Sequence, residues 1–309
     1  MTITTSSSTS AFYTTSAAQL SSLQSQVNAV TNSISTGNLY ASASENPEAA
    51  AQMRMLQLQD ANAAADTLTA NNATATLQLA DASMTTMVND ITRAKTLATQ
   101  AASGTLSDSD RASIGDELAQ IQTDMIGLAN TKDANGNALF GGGVSGAAYT
   151  TDASGNAVYN GAATAPTLPI GGGQSVQASV TGPAVFNITD GNGNSTNIMD
   201  AIGALATALK AGGTAAQTAA STGITTLANG LDAITTAQTV VGARESWIAL
   251  NTQNLTAQST ARATQEQQLG DTDVSTAAIK MQELTTALQA SQSCFVRLSS
   301  LSLFSVIGN

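Results

Sequence analysis

The first 44 residues of the chain carry no charged side chain, yet apolar residues recur through them at coiled-coil spacing. The apolar positions step by three, four, three and four, and they are Leu20, Leu23, Val27, Val30 and Ile34. A solvent-facing helix normally carries Lys and Glu on its outer side, whereas this one offers Ser, Thr, Gln and Asn. We therefore predict a helix that is enclosed by other copies of the chain, because an uncharged surface buries no unpaired ions. The alternative is a low-complexity N-terminus that is disordered in the monomer. The two predictions are compatible if this segment is disordered when alone and folds on assembly.

The end of the chain supplies a second apolar stripe. Leu284, Leu288, Phe295 and Leu298 fall on one side of a helix, and Arg297 is the only charged residue after Glu283. Fully burying one such side chain contributes about 1.5–3 kcal/mol, whereas ordering each residue costs about 1–2 kcal/mol of backbone entropy. A free helix is therefore not expected, and we predict that the two ends pair as a self-assembly seam. The seam comprises Leu20, Leu23, Val27, Val30, Ile34, Leu284, Leu288, Phe295, Leu298, Leu301, Leu303 and Phe304.

Between the two ends, the pattern first predicts two long helices with apolar seams. One runs from about Glu48 to Ala102, with Ser44 as its N-cap and Gly104 as its stop, and the next starts at Ser107 or Ser109. The two seams are Leu77, Ala80, Met84, Met87, Ile91, Ala94 and Ala98 in the first helix, and Ile114, Leu118, Ile121, Met125 and Leu128 in the second.

The middle of the chain is rich in glycine and lacks the helical pattern. Residues 133–200 hold 13 of the 25 glycines, which predicts short strands joined by tight turns, with Ser175–Val180 and Ala184–Thr189 as strand-forming clusters. The helical pattern resumes near Ile198. We predict a mainly α fold, in which the N- and C-terminal regions form a long antiparallel helical bundle or coiled coil around a smaller β-rich inserted domain. The predicted segments are 1–44, 45–132, 133–197, 198–270 and 271–309.

Composition excludes several classes of function. The chain has no histidine, which removes Ser-His-Asp and Cys-His catalysis and the common zinc-protease motif. A formal net charge of −11 argues against binding to nucleic acid or to anionic membranes. No apolar run approaches the length of a membrane span, and we expect no cleavable signal peptide. Cys294 is alone and is predicted to be a small packing residue. We therefore expect no enzymatic activity, no cofactor and no metal.

Three turns and two arginines are the remaining candidate sites. The turns at Asp133, Asp152 and Asp190 place oxygen ligands as a calcium loop does, but none ends in Glu, so we interpret them as ordinary Asx turns with a weak calcium site as the alternative. Arg111 and Arg244 are candidate interface anchors, and Arg244 lies close to Trp247. The alternatives are solvated arginines and a core tryptophan.

These patterns together resemble the bacterial flagellin superfamily. The most specific match is Ser103–Gly142, which contains SGTLSDSDR and LANTKDANGNALFGG, and Ser33–Gln52 resembles the segment around the family's STG and Pro-Ala-Ala motifs. The C-terminal ALQASQSCFVRLSSLSLF also resembles the family. Asn38 and Leu39 replace the usual basic residues, and Glu45-Asn46 replaces an acidic pair. The matched positions are Gly37, Pro47, Gly104, Asp110, Arg111, Leu128, Asn130, Asn135, Gly136, Phe140, Gly142 and Arg244.

The resemblance implies a structural subunit of the extracellular flagellum, exported through a type III apparatus and assembled outside the cell. It favours the branch of the family that joins hook to filament, because an Asp-Asp-Ala-Ala-Gly turn and a Gln-Pro-containing terminus are missing. A filament flagellin is the alternative. The implied partners are copies of the chain, flagellin, another hook-associated protein and an export chaperone, without nucleic acid or membrane. A surface binding module displayed by the β-rich insertion is the second alternative.

Overall fold

The computed structural model describes the backbone of residues 3–307 and the side chains of residues 10–297. The fold is mainly helical, as predicted. The helices are α1 (Ile3–Thr36), α2 (Pro47–Ala101), α3 (Asp108–Ala129), α4 (Gly182–Phe186), α5 (Ile198–Ala211), α6 (Gly213–Gly270) and α7 (Val274–Ile307). The strands are β1 (Tyr149–Thr151), β2 (Ala157–Tyr159), β3 (Thr167–Gly171), β4 (Gln174–Gln177), β5 (Asn187–Thr189) and β6 (Ser195–Asn197).

The chain divides into two compact units. The first unit combines Met1–Ala61 with Gln258–Asn309, and the second unit is Asn62–Ala257. Helices α2 and α6 each contribute residues to both units, so the units do not follow the five predicted segments one by one. Whether those five segments behave as separate domains stays a prediction.

The core of the second unit lies between the inner faces of α2, α3, α5 and α6. Every residue of the predicted α2 seam is buried, which confirms that seam, and Leu118, Ile121 and Met125 are buried on α3. Five of the seven residues of the α2 seam are alanine or methionine, so neighbouring helices approach closely where the side chain is small and methionine fills the remaining gaps. The fully buried apolar residues that α5 and α6 add include Ile202, Leu209, Ile234, Val241 and Ile248.

The strands form three separate two-stranded antiparallel ladders, β1–β2, β3–β4 and β5–β6. Three aromatic residues in and beside these ladders are buried together: the ring centroids of Phe140 and Phe186 are 5.3 Å apart, and those of Tyr149 and Phe186 are 5.7 Å apart. These rings belong to the same buried cluster as the helices of the second unit. The β-rich segment therefore shares its core with the helices instead of enclosing one of its own.

The predicted strand at Ala184–Thr189 is wrong in its first half. Residues Gly182–Phe186 form the short helix α4, and only Asn187–Thr189 is a strand. Proline lies in the first turn of α4, where its fixed φ suits a helix start and its missing N–H costs nothing. The proline outweighs the β-branched composition of this segment.

The start of α2 and the start of α3 differ in how well they were predicted. Asn46, not Ser44, caps α2, because its side-chain oxygen accepts the Ala49 N–H at 3.1 Å. Pro47 takes the first helical position and leaves the residue before it as the cap. Ser107 caps α3 as predicted, since its hydroxyl oxygen accepts the Asp110 N–H at 3.1 Å.

Candidate functional site

Helices α1 and α7 pack against each other in antiparallel orientation. Near one end of the pair, the rings of Tyr13 and Phe295 meet edge to face with centroids 5.6 Å apart. Further along, the Thr31 hydroxyl donates to the sulfur of Met281 at 3.7 Å. Leu284 and Leu288 are 8% and 9% exposed, and Phe295 is half-buried. The predicted α1 residues, all half-buried, are Leu20, Leu23, Val27, Val30 and Ile34.

The pair leaves much apolar surface uncovered. Phe12 on α1 is 43% exposed, and Ile279 and Val296 on α7 are 62% and 64% exposed. Two helices cannot enclose each other, so the half-buried seam of α1 keeps room for additional helices. Whether these residues form a self-assembly seam stays a prediction. The side chains of Leu298, Leu301, Leu303 and Phe304 lie outside the described residues.

An isolated backbone bridge closes the other end of the pair. Asn38 and Asp271 face each other in antiparallel orientation, and the Thr272 N–H donates to the Gly37 carbonyl at 2.8 Å. Gly37 has a φ of +76°, a backbone conformation that side chains with a Cβ disfavour. The bridge was missed from the sequence, although the helix breaks at Gly37 and near Asp271 were the available signal.

Gly37→Ala is expected to loosen the α1–α7 pair by about 1 kcal/mol, because alanine is strained at this positive φ. The measurement is hydrogen exchange of the α1 amides. Gly242→Ala in α6 is the control, since its φ is not positive and a Cβ there meets nothing within 4 Å. That control is expected to stabilise the protein by up to about 1 kcal/mol. Unchanged α1 exchange in Gly37→Ala would contradict the prediction.

Arg111 holds the turn between α2 and α3. It is 7% exposed; its Nε donates to the Ala101 carbonyl at 3.0 Å and one Nη donates to the Ser103 carbonyl at 2.8 Å. The other Nη pairs with Asp108 at 3.1 Å. The interpretation of Arg111 as a solvated side chain is therefore wrong, and its role as an interface anchor stays a prediction. The helix α2 ends at Ala101, before Gly104, and Arg111 binds its terminal carbonyl.

The other matched positions of this region also act within the chain. The Asn130 side chain makes two hydrogen bonds of 2.8 Å to the Tyr149 backbone: its Nδ2 donates to the Tyr149 carbonyl, and its Oδ1 accepts the Tyr149 N–H. Phe140 is fully buried, and Leu128 is half-buried on α3. The Asp110 carboxylate accepts the hydroxyl of the cap residue Ser107 at 2.6 Å. Glycines at positive φ form the turns here, and they include Gly136, which follows Asn135, and Gly142.

Arg244 is engaged by the β3–β4 ladder. One Nη donates to the Ser179 carbonyl at 3.1 Å and the other donates to the Gln177 side-chain oxygen at 2.8 Å. Partial burial lowers the pKa of Arg244.

Two other side chains lie at the surface instead of in the core. Trp247 is 45% exposed, so it is not a core tryptophan, and Cys294 is exposed, so it is not a packing residue within this chain.

In the three Asx turns, backbone N–H groups of the turn itself donate hydrogen bonds to the Asp carboxylate. In each turn, Asp133, Asp152 or Asp190 accepts the N–H groups two and four residues ahead at 2.7–2.9 Å. The hydrogen bond from the Asn156 N–H lowers the pKa of Asp152, and the one from the Asn194 N–H does so for Asp190. Among the described residues, no three acidic or cysteine side chains come together as metal ligands.

No helix within the described range is long and apolar enough to cross a membrane.

Glu245 has no hydrogen-bond partner for its buried Oε1 among the described residues. Burial raises its pKa, and the negative charge of Asp81 on α2 raises it further. Asp81 itself accepts a hydrogen bond from the Gln238 amide at 3.0 Å. A carboxyl group whose pKa is raised by folding stabilises the folded state below its unfolded pKa of about 4.3. That contribution is lost as the pH rises through the folded pKa.

Glu245→Gln is therefore expected to raise the free energy of unfolding at pH 7 by less than about 1 kcal/mol, because the amide carries no charge to desolvate beside Asp81 and solvent screens part of that charge in the wild type. The gain should shrink as the pH falls towards 4, where glutamate is protonated. Denaturant unfolding from about pH 4 to pH 8 measures both. A difference between variant and wild type that does not change with pH would refute the assignment.

Comparisons with known proteins match both ends of the chain. The model of the bacterial flagellin N-terminal helical region matches residues 8–145, and that of the bacterial flagellin C-terminal helical region matches residues 223–307. Flagellar hook-associated protein 3 of Escherichia coli (strain K12) is 33% identical over 109 residues, which are 35% of this chain and 34% of that protein. The chain thus spans about a third of the length of the curated relatives it matches.

Solved structures share the fold. A flagellar hook-associated protein of Vibrio parahaemolyticus has a TM-score of 0.67 and 19% identity, covering 73% of this chain and 99% of that chain. Flagellar hook-associated protein 3 of Legionella pneumophila has a TM-score of 0.65 and 15% identity, covering 70% of this chain and 98% of that chain. At these identities, the comparison establishes a common fold.

Proposed function

Because the chain belongs to the bacterial flagellin family, we propose that it is a structural subunit of the flagellum that joins the hook to the filament. The curated match to hook-associated protein 3 supports the junction over the filament. The observation that carries the proposal is the α1–α7 pair, whose seam is half-covered and whose α1 face has no charge. An enzymatic role has no support from a family of structural proteins.

Assembly and ordering of the ends are coupled in this proposal. The half-buried seam of α1 recovers only part of the roughly 1.5–3 kcal/mol that full burial of each large apolar side chain contributes. Neighbouring copies that cover Phe12, Ile279 and Val296 supply more buried area and offset the ordering entropy. The polar, uncharged outer face of α1 can then be enclosed without stranding an ion.

The proposed partners are further copies of this chain, flagellin, a second hook-associated protein and an export chaperone in the cytoplasm. The proposed location is outside the cell, within the flagellum. These assignments rest on the family and on the curated relative, and the α1–α7 pair offers the surface that copies of the chain would share. The twelve predicted seam residues are the proposed self-assembly contacts.

Immunogold electron microscopy of intact flagella tests the proposal, with an antibody raised against the surface formed by residues 133–197. The exposed Val158 and Thr151 lie in this surface. A single labelled band where hook meets filament is expected. Label along the whole filament would instead make the chain a flagellin, and the junction proposal would fail.

A binding module at the β-rich segment finds less support. The aromatic residues that a sugar-binding platform would need are Phe140, Tyr149, Tyr159 and Phe186, and three of them are buried while Tyr159 is half-buried. The shared core of this segment and the helices also means that it serves the stability of the second unit.

A further inference from the structure

Helices α1 and α7 meet through their apolar seams, with a ring contact between Tyr13 and Phe295 and a weak hydrogen bond from Thr31 to Met281. In a coiled coil, charged residues beside the seam usually set the register, which is how far one helix is shifted along the other. Helix α1 has no charged side chain, so no side-chain ion pair can join it to α7. On α7, Lys280 lies 3.9 Å from Glu283 of the same helix. The seam of α1 repeats Leu, Leu, Val, Val and Ile at heptad spacing, so a shift by one heptad again places apolar residues opposite apolar residues.

The bridge between Asn38 and Asp271 is different, because it can form in one register only. The Leu39 N–H donates to the Gly270 carbonyl at 2.6 Å, and the Thr272 N–H donates to the Gly37 carbonyl at 2.8 Å. Backbone hydrogen bonds of this kind are lost altogether when one strand shifts against the other. The bridge also lies at the point where α1 ends and α7 begins.

The segment that follows the bridge is held in place by its own cap. The Asp273 carboxylate accepts the Ser275 N–H at 3.0 Å and the Thr276 hydroxyl at 2.6 Å. The Thr276 hydroxyl bond lowers the pKa of Asp273, so the cap stays ionised at neutral pH. The start of α7 is therefore fixed two residues beyond the bridge, and the position of the bridge determines which turn of α7 meets each turn of α1.

We propose that the Asn38–Asp271 bridge sets the register of α1 against α7. The seam supplies attraction between the helices, and the bridge selects one alignment among those that the seam tolerates. The inference goes beyond the proposed function, because it concerns the single chain and holds whatever that chain assembles into. Its test therefore reads an alignment within one molecule and not an assembled structure.

The test maps the alignment by photo-cross-linking in the full chain at a dilution where it is monomeric. Ser291→Cys carries a maleimide–benzophenone probe, and Cys294→Ser removes the only native cysteine. Ser291 lies one step along α7 from Phe295, so its probe is expected to label α1 near Ser16, one step from Tyr13. Leu39→Pro removes one donor of the bridge, and Leu39→Ala keeps it.

In the parent and in Leu39→Ala, labelling centred near Ser16 is expected. In Leu39→Pro, the ratio of native to heptad-shifted labelling should fall about tenfold, since the bridge offers two backbone hydrogen bonds and proline removes one outright. Thr272→Pro, which removes the other donor, should do the same. Circular dichroism verifies that the remaining helices stay folded.

Three results would overturn the proposal. The first is native labelling in both proline variants, which would mean that the seam alone fixes the register. The second is loss of all α1 labelling in them, because the bridge would then hold the helices together without selecting an alignment. The third is a parent protein that shows no preferred labelling site on α1.

Discussion

Leu288→Asp is expected to raise the protein concentration needed for assembly at least 100-fold, about 2.8 kcal/mol per subunit. Leu288 is 9% exposed and lies on the α7 face that packs against α1. Its partner helix offers no cation to pair with a new carboxylate, since α1 carries no charged side chain. A buried and unpaired charge is among the most costly substitutions in any protein. Neighbouring copies would only bury it further.

The same substitution should leave the second compact unit intact. The core of that unit consists of residues between Ala70 and Ile248, all within Asn62–Ala257. Trp247, the single tryptophan, lies in this unit and reports its unfolding by fluorescence. We expect the denaturant midpoint measured at Trp247 to match that of the wild type.

The matched control is Thr151→Asp, which places the same charge at an exposed position of strand β1. Sedimentation velocity and electron microscopy should show wild-type assembly for this control. Assembly of Leu288→Asp at the wild-type concentration would remove the seam from the proposed function. An equal loss in both variants would show that added negative charge, not its place in the seam, opposes assembly.

The helical part of the fold was predictable from the periodicity of apolar residues in the sequence. The α2 seam from Leu77 to Ala98 was predictable because each of its residues sits at a three- or four-residue step, and a helix must turn such positions to one side. The pairing of the two ends was predictable for a related reason. Each end has too few large side chains to stand alone, so each requires a partner.

Side-chain roles that depend on tertiary contacts were not predictable. Arg111 binds the carbonyl of a residue ten positions earlier, and nothing in the local pattern separates that role from an interface role. Cys294 lies next to Phe295 in sequence, yet the helix turns it outward. The strand predicted at Ala184–Thr189 failed because a single proline defines a helix start against the composition around it.

Loss of Arg111 is expected to lower the free energy of unfolding of the second unit by about 3 kcal/mol. Arg111→Met is the suitable change, because it keeps the length of the apolar stem and removes the guanidinium. The Ala101 and Ser103 carbonyls would each lose a charged donor, and Asp108 would lose its ion pair. The Ala101 carbonyl lies at the buried end of α2, where water cannot easily replace that donor.

The matched control is Arg93→Met, which also removes an arginine that bonds a side chain of α3. Arg93 and its partner Glu117 lie 2.7 Å apart, but they are 56% and 43% exposed. An exposed ion pair contributes about 0–1 kcal/mol, so the control should change stability little. Denaturant unfolding followed at Trp247 measures both variants.

The same pair of variants separates an interface role for Arg111, which the sequence suggested, from the role within the chain that its hydrogen bonds indicate. If the guanidinium acted between subunits, Arg111→Met would unfold like the wild type as a monomer and fail only in assembly. The hydrogen bonds to the end of α2 predict the reverse, namely a monomer that unfolds at lower denaturant before any assembly step. A monomer of wild-type stability would therefore contradict the role that the structure gives to Arg111.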